Sequence, residues 1–330
     1  MAKWIKHILF LLIGLLLLFL AFNNTNLNEL IEKAKKVDYI WIWLSMFFGF
    51  LAFISRGLRW IYLIENMGYK AKKINSIYAV CIGYITNLAF PRAGELSRCT
   101  SLSESDKIPV NKLFGTIILE RTIDFIILLS LICFIFFMKL NTVFTFYKKI
   151  EEKIGGNSNI GLILIVIFSV VLIVFIVFKT KFKKTSIYHR IVNFLRGLSE
   201  GFKSIKGIKN KWAFWGHTIF IWFMYFSMTY VCFFAIESTK LLTLIDGLFI
   251  MVVGGLAMVL PVQGGMGAYH ILVSEGLMSI KLGNPINATD ATLFASVVHA
   301  CQTLMTLFVG SISLLMLFLS KRKAKSEPAQ

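Results

Sequence analysis

Two short groups of ionisable residues interrupt otherwise apolar sequence. They contain three arginines and three carboxylates: Arg92, Glu95, Arg98, Glu120, Arg121 and Asp124. Residues three or four positions apart share one face of a helix, so each group is expected to present its charges on one side. An ionisable group inside a bilayer costs at least about 2.5–3.5 kcal/mol on insertion scales. These six side chains therefore need partners or a polar cavity.

The equal numbers of positive and negative charges allow two interpretations. In the first, the six charges form a neutral ion-pair network that locks two segments together. In the second, they line a polar cavity in which arginines bind the phosphate of an anionic lipid headgroup, because a planar guanidinium binds two oxygens at once. The carboxylates then release the phosphate by competing for the arginines. A purely structural network could use Asn or Ser at lower cost, which slightly favours the cavity.

A glycine-rich segment precedes a short apolar helix further along the chain. Gly264, Gly265 and Gly267 can expose backbone N–H groups at the helix start, where the helix dipole also favours an anion. The alternative is that these glycines only make a tight turn. His270 and His299 follow, and each is either a hydrogen-bonded residue between helices or part of the cavity.

The elements that position these residues are membrane helices. The 330 residues are 57% hydrophobic and 16% charged, whereas soluble domains average about 45–50% and about 25%. A helix rises about 1.5 Å per residue, so a long apolar run with its polar flanks can cross a hydrocarbon core of roughly 30 Å. The predicted spans are 1–22, 39–55 (extending to about 64), 111–137, 160–178, 212–236 and 291–320. The composition therefore predicts an all-α polytopic membrane protein.

Three apolar runs are too short to cross: 76–90, 247–260 and 268–280. Because prolines and glycines break them, we expect two re-entrant helical hairpins, 76–105 and 247–280, in addition to six full spans. An alternative with eight spans places the basic loop 179–211 outside. The positive-inside rule favours the hairpins, with that loop and both termini in the cytoplasm.

The order span, hairpin, span occurs twice, and the two hairpins enter from opposite sides. This pattern predicts an inverted repeat whose broken helices meet near the middle of the bilayer. Residues 1–320 are predicted to form a single transmembrane domain in the cell (inner, cytoplasmic) membrane. Residues 321–330 are predicted to form a basic cytoplasmic tail.

The remaining composition excludes several classes of function. The net charge of +18 comes from 35 Lys and Arg against 17 Asp and Glu, and juxtamembrane loops next to anionic lipid account for it without nucleic acid. The 5 cysteines are scattered and lack a Cys-x-x-Cys motif, so neither a disulfide framework nor a metal site is expected. No cofactor or nucleotide-binding motif is found. Membrane lipids are the expected partners.

Three motifs occur in order: Asn87-x-x-x-Pro91-Arg92-x-Gly94-Glu95-x-x-Arg98, Glu120-Arg121-x-x-Asp124 and Pro261-x-x-Gly264-Gly265-x-Gly267. Together they resemble the transmembrane region of lysylphosphatidylglycerol synthases, a flippase-like domain, over about residues 40–320. The resemblance implies translocation of a phospholipid or polyprenyl-linked headgroup between leaflets. It does not imply aminoacyl transfer, which a separate soluble domain of the full synthases performs. We therefore do not expect an enzyme.

One departure from the family pattern concerns the substrate. Family members often carry a Glu shortly after the last motif glycine, where this sequence has Tyr269 and His270. If that acid handles a cationic headgroup, the lipid here differs. Two alternative functions remain open. One is an intramembrane enzyme, or a subunit assisting a lipid-modifying enzyme such as a glycosyltransferase, with Glu95 and Glu120 or His270 as acid and base. The other is an assembly scaffold.

Overall fold

The computed structural model of the protein describes residues 2–23, 25–155, 207–260 and 262–326. Within these ranges every regular element is helical. The eleven α-helices are α1 (Ala2–Phe22), α2 (Leu27–Ala34), α3 (Tyr39–Asn66), α4 (Lys73–Ala89), α5 (Gly94–Asp106), α6 (Val110–Met138), α7 (Leu140–Gly155), α8 (Lys211–Val231), α9 (Leu244–Val259), α10 (Ala268–Met278) and α11 (Ala288–Ser326). The predicted span 160–178 and nearly all of the basic loop 179–211 lie outside the described residues.

Four of these helices are long and apolar enough to cross a membrane: Tyr39–Asn66, Val110–Met138, Lys211–Ala235 and Ala288–Ser320. A fifth crossing is formed if residues 11–22 of α1 and α2, which meet at a bend of 87°, count as one broken span. The chain is thus an all-α multi-pass membrane protein, as predicted. The first residues of the predicted tail continue α11 as far as Ser326.

Helices α4 and α5 pack against each other as a hairpin. At its base, the Asp106 carboxylate at the end of α5 accepts hydrogen bonds from the backbone N–H of Lys72 at 2.8 Å and the side-chain amide of Asn75 at 2.9 Å. These contacts place the start of α4 beside the end of α5. Further along, Gly83 and Gly94 allow the two backbones to approach closely.

Substituting Gly94 with alanine is expected to destabilise this hairpin. A Cβ atom there would clash with the Gly83 carbonyl oxygen and the Asn87 side-chain amide. Overpacking of this kind costs about 1–3 kcal/mol, and backbone atoms cannot move aside as a side chain can. Thermal unfolding of the purified protein in detergent should show the loss. Gly216→Ala is the control, because no heavy atom lies within 4 Å of its added Cβ. If Gly94→Ala leaves the thermal stability unchanged, the close approach of the two backbones is contradicted.

Helices α9 and α10 form a second hairpin at the other end of α6. Asp246 in the first turn of α9 pairs with Lys139 at the carboxyl end of α6, at 2.8 Å. Glu275 near the end of α10 pairs with Lys153 of α7, at 2.6 Å. The first hairpin instead joins the amino end of α6 through residues 107–109. The two hairpins therefore approach α6 from opposite ends.

The tips of the two hairpins meet. The Gln263 side-chain amide donates a hydrogen bond to the Ala89 carbonyl oxygen at 3.4 Å, and the His299 ring lies 2.8 Å from the Gly264 carbonyl oxygen. Helices α3 and α8 pack along one another, with the Ser45 hydroxyl donating to the Met228 carbonyl oxygen at 2.7 Å. The order helix, hairpin, helix thus occurs in α3–α6 and again in α8–α11.

Candidate functional site

Five charged side chains form a cluster behind the hairpin tips, which we call the charge cluster. It consists of Arg56 and Arg59 on α3, Arg98 on α5, and Glu120 and Asp124 on α6. The side chains of Arg59 and Glu120 are 0% exposed. Because the ion pairs join three helices, the cluster fixes the first hairpin against α3 and α6.

Glu120 is the centre of the charge cluster. Its carboxylate accepts two hydrogen bonds from Arg98, at 3.0 and 2.9 Å, and two from Arg56, at 3.3 and 3.0 Å. A carboxylate that only accepts is ionised. The Arg98 guanidinium also lies over the Trp60 ring, 3.9 Å from its centroid, which adds a cation–π contact. Every position around Glu120 is therefore occupied by protein.

Asp124 and two tyrosines connect the cluster to an internal cavity. Asp124 accepts two hydrogen bonds from Arg59, at 2.9 and 3.2 Å, and another from Arg56. The other end of the Arg56 guanidinium donates to the hydroxyls of Tyr84 and Tyr225, each at 3.0 Å. Arg56 thus fixes the two hydroxyls at the cavity wall.

The cavity lies between the two hairpins and helices α3, α6, α8 and α11, and its volume is about 960 Å³. One wall is polar and includes Tyr84, Arg92, Glu95, Arg121, Asp124 and Tyr225. The rest is mostly apolar and includes four methionines: Met228, Met251, Met258 and Met305. Cavities of about 300–1,000 Å³ are typical of ligand sites, so this one is large enough for a headgroup.

Most of the cavity rim is apolar and lies along α6 and the end of α9, although the exposed lining residues also include Arg92 and Arg121. Six large side chains both line the cavity and are exposed: Phe114, Ile118 and Phe125 on α6, and Met258, Val259 and Leu260 at the end of α9. Because α6 is a membrane-spanning helix, its exposed apolar side chains face acyl chains. The polar wall is therefore accessible from the lipid through an apolar opening.

The structure brings only part of the six predicted charges together. Arg98, Glu120 and Asp124 join the charge cluster, whereas Glu95 and Arg121 form a separate pair at 3.3 Å whose side chains are 28% and 44% exposed. The six charges do not form the single neutral network of the first interpretation, because Arg56 and Arg59 take the central positions and Glu95 and Arg121 pair with each other.

Arg92 also departs from the sequence prediction. It precedes α5 instead of sharing a helix face with Glu95 and Arg98, and it has φ +62° in the turn between α4 and α5. Its exposed side chain lines the cavity and makes no ion pair with any described residue. Arg92 is therefore a cavity arginine whose charge is not neutralised by any described residue.

The glycine-rich segment divides between the cavity and a packing contact. Gly264 and Gly265 line the cavity, as does His299. Gly267, with φ +75°, instead lies against α1, where an added Cβ would clash with Leu17 and Leu18.

His270 lies behind the cavity wall and is not among its lining residues. Its ring centroid is 5.8 Å from that of Phe22 and 5.0 Å from that of His299. His270 is therefore packed between helices, but its buried Nδ1 has no hydrogen-bond partner among the described residues, so it matches neither the hydrogen-bonded residue nor the cavity residue expected from the sequence.

Two functional residues were missed by the sequence analysis. Arg56 and Arg59 follow the charge-free run 39–55, and neither was named among the partners expected for the carboxylates. Their spacing of three, within a span that extends past residue 60, was the available signal, since it places both guanidinium groups on one helix face.

The site can be compared with known proteins. Residues 7–310 match the family described as the lysylphosphatidylglycerol synthase TM region. A UPF0104 membrane protein from Methanocaldococcus jannaschii is 25% identical over 267 residues, which cover 74% of this chain and 79% of that protein. No solved structure matches the chain. The matched family region contains both hairpins, the charge cluster and most of α11, and the chain therefore belongs to the lysylphosphatidylglycerol synthase transmembrane-region family.

Proposed function

We propose that the protein translocates a lipid headgroup between leaflets through the cavity. The observation that carries this proposal is the combination of a polar wall with a mostly apolar rim along α6 and the end of α9. A headgroup needs polar partners on its way across, whereas its acyl chains are most stable in lipid. A cavity open to the side satisfies both requirements at once. Membership of a membrane-domain family that acts on lipids agrees with this function.

In this mechanism the headgroup phosphate binds Arg92 first. Arg92 is exposed and unpaired with any described carboxylate, so binding breaks no existing ion pair. Arg121 can then supply a second guanidinium, and Glu95 returns to Arg121 as the phosphate leaves. The charge cluster holds the wall in place throughout, because its guanidinium groups are committed to Glu120 and Asp124. A cationic part of the headgroup can pair with Glu95.

The proposed topology has six spans and two re-entrant hairpins, with both termini in the cytoplasm of the inner membrane. Both ends of the first hairpin lie at the amino end of α6, the second hairpin begins at the carboxyl end of α6, and the two tips touch. This geometry supports hairpins that return to the side from which they enter, arranged as an inverted repeat. The proposal further takes 1–320 as a single domain, with 179–211 and 321–330 on the cytoplasmic side.

The alternative of an intramembrane enzyme has less support. Glu120 is saturated with arginine N–H groups and does not line the cavity, and His270 is also absent from the lining. Glu95 therefore has neither proposed partner for acid–base chemistry at the wall. We accordingly favour transport over catalysis.

Arg92→Ala is expected to slow lipid translocation by at least about tenfold. Hydrogen bonds to charged groups contribute about 1.5–3 kcal/mol, and each 1.4 kcal/mol is a tenfold change in rate. The test reconstitutes the full chain in liposomes and measures how fast fluorescent lipids with several headgroups become accessible to a membrane-impermeant quencher. Wild-type protein should exceed empty liposomes, and the variant should approach them.

The same experiment separates the remaining alternatives. Arg92 makes no ion pair with any described residue, so the variant should accumulate and unfold as the wild type does. A scaffold instead requires abundance and function to fall together. Wild-type protein that leaves every tested lipid at the rate of empty liposomes would contradict translocation.

A further inference from the structure

The charges around the cavity do not balance. The charge cluster contains three guanidinium groups and two carboxylates, and Glu120 and Asp124 both accept hydrogen bonds as ionised groups do. The cluster therefore carries one surplus positive charge. At the wall, Arg121 and Glu95 neutralise each other, and Arg92 adds a second surplus positive charge. The other described residues lining the cavity are uncharged.

Unused hydrogen-bond donors lead to the same conclusion. The Nε atoms of Arg59 and Arg98 are buried and have no acceptor among the described residues. Arginine has five N–H donors and no acceptor, so three arginines exceed what two carboxylates can accept. A buried donor or charge without a partner is costly. The cluster lacks negative charge, and because neither Arg59 nor Arg98 lines the cavity, an anion bound there offsets the surplus through space and does not accept from these two donors.

Resting on the proposed function, we infer that the cavity selects a lipid whose terminal phosphate carries two negative charges. Such a headgroup is a phosphate monoester or a diphosphate. It matches the surplus of two positive charges, whereas a phosphodiester supplies one negative charge and a zwitterion supplies none. Arg92 contacts the phosphate directly, and the surplus charge of the cluster acts on it through Tyr84 and Tyr225, which Arg56 holds at the wall.

A soluble phosphate or diphosphate has the same terminal chemistry. The exposed apolar rim formed by α6 and the end of α9 favours the lipid, because soluble anions gain nothing from an opening lined by Phe, Ile, Val and Leu. The occupant is therefore expected to combine the dianionic phosphate with a hydrocarbon tail.

The test measures equilibrium binding by the purified full chain in detergent. Phosphatidic acid, phosphatidylglycerol and phosphatidylethanolamine with identical acyl chains supply a monoester, a diester and a zwitterion. Phosphatidic acid is expected to bind at least about tenfold more tightly than phosphatidylglycerol, a difference of ~1.4 kcal/mol. Equal or weaker binding of phosphatidic acid would overturn the inference. Inorganic phosphate and diphosphate are tested as soluble competitors of bound phosphatidic acid. If they displace it as effectively as free phosphatidic acid does, the assignment of a lipid ligand is overturned.

Two wall variants change the charge in opposite directions. Arg92→Gln lowers the surplus positive charge from two to one. The preference for phosphatidic acid over phosphatidylglycerol should then fall to less than about threefold. Glu95→Gln raises the surplus and should increase the preference, since Arg121 loses its carboxylate. General damage to the site would shift both variants the same way, so a common direction contradicts the charge argument. Selective binding without translocation would contradict the proposed function while leaving this inference intact.

Discussion

Replacing Glu120 with glutamine is expected to leave almost no folded protein in the membrane. Glutamine keeps the size of the side chain but removes the negative charge that four hydrogen bonds from Arg56 and Arg98 surround. Breaking a buried ion pair on one side costs about 3–5 kcal/mol, because the remaining charge stays buried without compensation. That cost is a large share of a typical stability of about 5–15 kcal/mol.

The amount of protein after mild extraction, together with its thermal unfolding, measures this effect. Glu95→Gln is the matched control, since the substitution is chemically identical but the pair with Arg121 is partly exposed and spans 3.3 Å. Exposed pairs contribute about 0–1 kcal/mol, so this variant should accumulate normally. If Glu120→Gln accumulates and unfolds like Glu95→Gln, the charge cluster does not lock the three helices together.

Gly255→Trp is expected to block translocation while the protein still folds. Gly255 lies on α9 and lines the cavity, and the nearest atom to an added Cβ is Leu128 Cδ1 at 3.9 Å, an ordinary contact. A tryptophan can therefore project into the cavity and occupy space that the headgroup needs. We expect transport to fall by at least about tenfold, equivalent to about 1.4 kcal/mol on the barrier.

The control for this variant is Gly115→Trp on α6. Gly115 is exposed, does not line the cavity, and has no heavy atom within 4 Å of an added Cβ. Both variants add the same indole to a helix, so only Gly255→Trp should slow lipid movement in liposomes. Normal transport by a folded Gly255→Trp protein would mean that lipid crosses elsewhere.

The helices could largely be predicted from the sequence. The runs 111–137 and 212–236 correspond to α6 and to α8 with the 3₁₀ turn after it, within one or two residues at most ends. The broken runs 247–260 and 268–280 correspond to α9 and α10. Apolar length and breaks by proline and glycine are local properties, and for this reason sequence alone indicates them well.

The composition of the site could be predicted only in part. Glu120 and Asp124 signal the need for positive partners, but which arginines supply them depends on how α3 packs beside α6. The spacing of three between Arg56 and Arg59 places them on one helix face, but it does not show whether that face meets α6 or the solvent beyond the end of a span. The turn at Arg92 is a similar case, because i+3 spacing indicates a shared face only if the helix begins before Arg92, whereas α5 begins at Gly94. Partner choice and helix starts both depend on tertiary contacts.

The four methionines of the cavity wall have a consequence for how the protein recognises its ligand. Methionine has three rotatable bonds and a polarisable sulfur, so it adapts to shapes that branched side chains would reject. Met228, Met251, Met258 and Met305 therefore form a pliable surface opposite fixed guanidinium groups and hydroxyls. We therefore expect the shape of the bound headgroup to vary, with discrimination left to the charges and hydroxyl groups of the polar wall.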